Sequence, residues 1–208
     1  MNTIIYLDMD GVLVDLQQGL YEVLVTDIEQ GLGHYQGSRE KDLRKLLSYP
    51  DPKPISMQSM QDSLARKDAG GELTKWEKLV DRYKYKILGN EGADWWANLP
   101  PMNGFQTLIE ECQNLVGEEN VHILTAPVRS KTNSVERGKE QWVLKNTNIP
   151  QSQIHITEKK EAFAGGLFER AILIDDRTKY CDAFEQAGGF AILHTDVNKT
   201  LTQLKEML

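Results

Sequence analysis

The sequence predicts an α/β fold: a parallel sheet flanked by helices, with a helical insert, or cap, after the first strand. Three observations carry this reading. Four short apolar runs, Thr3–Leu7, Val121–Leu124, Ala171–Ile174 and Phe190–Leu193, are each followed by polar or small residues, and Gln153–Ile156 adds a weaker fifth. Ile, Leu and Val on both faces are what a buried parallel strand needs. Helical patterns fall between the runs, and this alternation implies right-handed crossovers. The stretch 16–97 is the exception, because it holds no clear strand.

The elements follow in order. The first run leads into Asp8-Met9-Asp10-Gly11. Residues 16–97 read as helical or irregular, broken by Tyr49-Pro50-Asp51-Pro52-Lys53-Pro54, since proline lacks the amide proton a helix requires. Asn98–Gly104 returns the chain to the alternating pattern. The expected division is therefore 1–15 and 98–208 for the catalytic core and 16–97 for the insert. Helices are expected over about 104–115, with Phe105, Leu108, Ile109 and Cys112 on one side, over about 134–145 and over about 179–187. Gly31–Gly37 reads as a loop: its glycine spacing does not fit a dinucleotide fingerprint, and no strand precedes it. No G-x-x-x-x-G-K-[ST] occurs, which argues against a P-loop nucleotidase.

Composition narrows the class. The 208 residues are 40% hydrophobic and 26% charged, with a net charge of −7. That balance is globular, and it disfavours a nucleic-acid polymer or an anionic membrane as partner, because both call for a basic surface. No run approaches the roughly 20 apolar residues of a membrane span. The chain opens on a strand rather than on a basic and then apolar leader, so a cytoplasmic location is expected. Cys112 and Cys181 are not part of a C-x-x-C pair and read as reduced structural thiols.

The candidate chemistry sits at the strand ends, where open α/β sheets bind ligands. Asp8 and Asp10 follow the first run, and two carboxylates so close need a cation or a proton. Gly11 allows a sharp turn. A calcium loop would need a preceding helix and a terminal Glu, and neither is present. Thr125, Ala126 and Pro127 end the second run, where a hydroxyl and backbone N–H groups can hold phosphate oxygens. Asp175 and Asp176 end the fourth and fit a hard cation with oxygen ligands, or equally a helix N-cap. Glu158-Lys159-Lys160-Glu161 follows the weak third run and by itself reads as a solvated helix start.

Taken together, D-x-D-G, Thr, Lys and Asp-Asp in this order resemble the four motifs of the haloacid dehalogenase superfamily of phosphotransferases. The resemblance covers most of the chain outside the insert and implies a Rossmann-like core. DMDGVLVD (8–15), Trp95–Gly104, Leu124–Pro127, Ile156–Lys160 and Leu173–Arg177 are similar, more narrowly, to the 5'(3')-deoxyribonucleotidases. Three positions depart from that family. Ala126 stands for its usual Ser, Arg129 for a phosphate-binding Lys, and Leu16 for an aromatic beside the base. An apolar Leu16 fits rejection of a ribose 2'-hydroxyl but cannot stack on a base.

The resemblance implies a Mg²⁺-dependent phosphatase. Asp8 is the expected nucleophile and Asp10 the acid and base. Thr125, Ala126, Arg129 and Lys160 are expected at the phosphate. The metal falls to Asp8, Asp10 through its backbone carbonyl, and Asp176, with Asp175 as ligand or holder of a metal-bound water. The expected partner is a small phosphate ester, first a deoxyribonucleoside monophosphate. A sugar phosphate and a catalytically silent binding module are the alternatives, and the acidic balance disfavours a nucleic-acid end-processing phosphatase. Trp76, Tyr83, Tyr85, Trp95 and Trp96 are candidates for stacking on a base, although aromatics in helices more often fill a core.

Overall fold

The computed structural model describes residues 3–31, 38–128, 133–166 and 170–208. Most of the Gly31–Gly37 segment and Arg129 lie outside them. In chain order the elements are β1 (Thr3–Leu7), α1 (Leu16–Gln30), α2 (Ser38–Leu47), α3 (Met57–Asp68), α4 (Lys75–Asn90), α5 (Ala93–Ala97), α6 (Phe105–Val116), β2 (Val121–Thr125), α7 (Ser134–Asn146), β3 (Ile154–Ile156), β4 (Arg170–Asp175), α8 (Thr178–Gln186), β5 (Phe190–Leu193) and α9 (Val197–Met207). Among the described residues, no helix is long and apolar enough to cross a membrane.

The chain divides into two compact units. The first holds Met1–Asp15, Gly92–Pro127 and Asn133–Leu208, and the second is built on Leu16–Glu91. The first contains a five-stranded sheet in the order β3-β2-β1-β4-β5. All four strand pairings are parallel. From β1 the chain adds strands on one side and then returns to β4 on the other, so the strand order reverses at β1. The carboxyl end of such a reversal leaves a crevice between outgoing loops. Every residue of β1 is buried, as two-sided coverage demands. Ile4, Tyr6, Leu124, Ala171, Leu173 and Phe184 share one buried cluster, and α6 packs against β1 and β2. Phe105, Leu108, Ile109 and Cys112 form the buried stripe of α6. Cys112 and Cys181 are buried free thiols.

Residues 92–97, placed by the sequence in the insert, group with the first unit. The reason is steric fit between α5 and α7. A β-carbon on Gly138 would lie 2.3 Å from Trp96 Cβ and 2.5 Å from the Ala93 carbonyl oxygen, so only glycine lets the two helices approach this closely. Trp96 is thereby fully buried, and Trp142 Nε1 donates to the Leu99 carbonyl at 2.8 Å.

The second unit is helical. Ser56 with Ser59, and Thr74 with Glu77, form reciprocal caps that start α3 and α4. Its buried polar centre joins three helices. Asp27 Oδ2 accepts from Arg39 Nη2 at 2.8 Å and from the Tyr83 hydroxyl at 2.6 Å. Arg39 Nη1 also donates to Glu91 Oε1 at 2.6 Å. Tyr83 is therefore a core residue rather than a stacking surface. Trp76 is buried against Tyr49, whereas Tyr85 is exposed beneath the Lys67 ammonium.

Candidate active site

Three adjacent strands deliver the polar residues to one end of the sheet. β1 runs directly into Asp8, whose amide continues the ladder by donating to the Ile174 carbonyl at 2.9 Å. β4 ends in Asp175, with Asp176 next, and β2 ends in Thr125. After Asp8 the chain turns tightly, and the Leu13 and Val14 amides both donate to the Met9 carbonyl. Gly11 sits in the turn at φ 83°, where a side chain is disfavoured. The loop is tied to the returning chain by Asp15 N–H to the Pro100 carbonyl and Met102 N–H to the Leu13 carbonyl.

Two buried lysines organise these acids. Lys160 begins a short helical turn after β3. Its Nζ is 2.8 Å from Asp8 Oδ1 and 2.6 Å from Asp175 Oδ2, and it lies over the Tyr180 ring. Burial pushes the Lys160 ammonium down, but Asp8 and Asp175 outweigh it and hold it above the usual lysine value. Lys139, on α7, is fully buried. Its Nζ donates to Asp10 Oδ2 at 2.6 Å, Thr125 Oγ1 at 2.9 Å and the Ala126 carbonyl at 2.9 Å.

The structure thus brings Asp8, Asp10, Thr125, Ala126, Lys160, Asp175 and Asp176 to the ends of neighbouring strands, and it adds Lys139. The sequence did carry a signal for that lysine. The buried face of α7 reads Val135, Gly138, Lys139, Trp142, Val143, so an ammonium falls on an otherwise apolar stripe. A lysine there needs acceptors.

Four carboxylates meet two ammonium groups here, so negative charge is in excess. Burial, then the Asp8, Asp175 and Asp10 charges, push Asp176 up to about 8. Burial and Asp8 raise Asp175 to about 6 against the pull of Lys160. Burial also raises Asp10, with Lys139 opposing. Among the described residues, Asp10 Oδ1 and Asp176 Oδ1 have no hydrogen-bond partner, and both are buried. Oxygens of Asp8, Asp175 and Asp176 lie within 4.8 Å of one another. An all-oxygen donor set with surplus negative charge fits a hard divalent cation such as Mg²⁺. The two aspartates at the end of β4 differ in their partners. Asp175 spends Oδ2 on Lys160 and Oδ1 on the Arg177 amide at 2.9 Å, while Asp176 Oδ1 is unsatisfied.

No protein-family model matches the chain, and no curated protein matches it. Solved structures do. A hydrolase from Streptococcus pneumoniae aligns over 99% of this chain and 100% of its own, at 13% identity and a TM-score of 0.53. A proposed haloacid dehalogenase-like hydrolase from Burkholderia xenovorans aligns over 91% of this chain and 80% of its own, at 13% identity and a TM-score of 0.50. At that identity the likeness is one of fold: the chain shares the α/β architecture of these hydrolases.

Proposed function

We propose that the protein is a Mg²⁺-dependent phosphatase of the haloacid dehalogenase type, acting on a small phosphate ester through a phosphoaspartate at Asp8. The observation that carries this is the set of strand-end carboxylates around Asp8, which outnumber the two buried ammonium groups in contact with them. In this reading Asp8 and Asp176 supply carboxylate ligands and Asp10 its backbone carbonyl. Asp175 anchors Lys160 and, as a member of the same acidic group, is a further ligand or holds a metal-bound water. A bound Mg²⁺ would neutralise charge between the phosphate and Asp8.

The chain's own groups do the rest. Asp8 attacks phosphorus. Lys160, paired with Asp8 and Asp175, stabilises charge on the phosphate oxygens with Thr125, the Ala126 amide and Arg129. Asp10 gives a proton to the leaving oxygen and then takes one from the hydrolytic water. The second unit, Leu16–Glu91, serves as the cap that selects the substrate and excludes water.

The preferred substrates are deoxyribonucleoside monophosphates. The similarity of segments 8–15, 95–104, 156–160 and 173–177 to one nucleotidase family supports this. The test is phosphate release from dUMP, dTMP, dGMP, UMP and a sugar phosphate. A higher kcat/KM for dUMP than for UMP is expected. Equal rates, or faster turnover of the sugar phosphate, reduce the function to a general phosphatase.

A further inference from the structure

We propose that Lys139 is a positioning residue that sets Asp10 and Thr125 in complementary orientations for the reaction, without itself touching the phosphate. This rests on the phosphatase reading above and names a residue that reading does not use.

A lysine ammonium has three N–H groups. Those of Lys139 have three acceptors: Asp10 Oδ2, Thr125 Oγ1 and the Ala126 carbonyl, all within 2.9 Å. None is left for a phosphate oxygen. The consequences fall on the partners. Asp10 Oδ2 accepts a hydrogen bond from Lys139, so a proton carried by Asp10 belongs on Oδ1, the buried oxygen that lacks a hydrogen-bond partner among the described residues. Thr125 Oγ1 accepts from Lys139, so its own O–H must point to another acceptor. One buried cation therefore makes Asp10 Oδ1 the proton donor and Thr125 a phosphate donor. Gly138 secures the arrangement, because α7 can seat against α5 only without a β-carbon there.

The chemistry balances. As an Asp8 oxygen bonds phosphorus, the bond to the leaving oxygen breaks. That oxygen keeps the electron pair and takes the proton from Asp10 Oδ1, and Lys139 holds the resulting carboxylate. In the second half, water oxygen bonds phosphorus and the phosphorus–Asp8 bond breaks. Asp8 recovers its electron pair, and the water proton returns to Asp10 Oδ1.

A packing role and a positioning role separate by leaving group. p-Nitrophenolate departs without a proton, whereas an alkoxide needs one. Lys139→Met should lose about 10²-fold in kcat/KM, which reports phosphoryl transfer to Asp8 and not the shared hydrolysis step, on the best alkyl phosphate, within the span of acid catalysis, but less than about tenfold on p-nitrophenyl phosphate. Inorganic phosphate, as an inhibitor, should bind more weakly. Adding Lys139→Met to Asp10→Asn should cost no more on the alkyl ester than Lys139→Met alone costs on p-nitrophenyl phosphate, the share that falls on Thr125. Equal losses on both esters would overturn the proposal while leaving the phosphatase reading intact. A wild-type protein that hydrolyses neither ester would sink both. Loss of a buried ammonium can unfold the variant, so a second measurement uses the unaltered protein. In crystals grown with Mg²⁺ and vanadate, Lys139 Nζ should remain on Asp10 and Thr125. Lys139 found on a vanadate oxygen would make it a phosphate ligand and refute the inference.

Discussion

Asp176 lies directly against Gly11: a β-carbon at Gly11 would come 2.3 Å from Asp176 Oδ2. The glycine thus does two things, turning the chain at positive φ and leaving room for a carboxylate from another strand. Gly11→Ala should strain the turn by about 1–2 kcal/mol and displace Asp176. Cation affinity should fall about 10–100-fold, as when a ligand loses its support. Thermal melts with and without Mg²⁺ check this. Saturating Mg²⁺, at about 100 times its dissociation constant, should stabilise the wild type by about 2.7 kcal/mol. The Gly11→Ala variant at the same concentration should show little of that shift. An undiminished shift would mean that Asp176 is not a ligand.

Within the second unit, Arg39 compensates Asp27, which is fully buried. Arg39→Ala should leave that carboxylate and the Tyr83 hydroxyl facing an empty cationic position. Breaking a buried pair from one side costs about 3–5 kcal/mol. Urea denaturation monitored in the second unit would show the drop. A change below about 1 kcal/mol would mean that water replaces the guanidinium at little cost.

Much of this arrangement was legible because buried parallel strands advertise themselves. β1 and β5 fall on the apolar runs read from the sequence, and β2, β3 and β4 differ from theirs by a single residue at one or both ends. Acids placed just after such runs are exposed to function by the topology itself. The proline segment 49–54 does separate α2 from α3. Other features were hidden. Lys139 lies mid-helix, flanked by Gly138 and Glu140, so no local motif marks it and only the buried stripe reveals its side. α9 is not hidden in this sense: Val197, Leu201 and Leu204 follow the i, i+4, i+7 spacing of an amphipathic helix. Tyr83 and Trp96 resemble ligand-stacking aromatics until their packing is seen, because burial depends on which neighbours the fold supplies.

His122 and His155 stack, with His122 Nδ1 2.9 Å from His155 Nε2. Burial lowers both from the ordinary imidazole value, and the pair repel each other when charged. A histidine lowered on folding binds fewer protons folded than unfolded. Its stabilising contribution is full above its unfolded pKa of about 6.5 and is lost as pH falls below it. Asp175 and Asp176 are raised and act in the opposite sense, so a single pH curve mixes the two effects. Comparison with His155→Asn separates them. The stability of the wild type relative to the variant should fall between pH 7.5 and 5.5. A constant difference would contradict the assignment.

The central claim is that Asp8 carries the phosphoryl group, and intact-protein mass spectrometry after rapid acid quench tests it most directly. The protein would be mixed with Mg²⁺ and p-nitrophenyl phosphate, quenched within one turnover, and the adduct mapped by peptide. The account predicts a phosphoryl adduct on the peptide containing Asp8, absent from Asp8→Asn, which should also lose turnover. Hydrolysis with no adduct at Asp8, or near-normal turnover by Asp8→Asn, would contradict it.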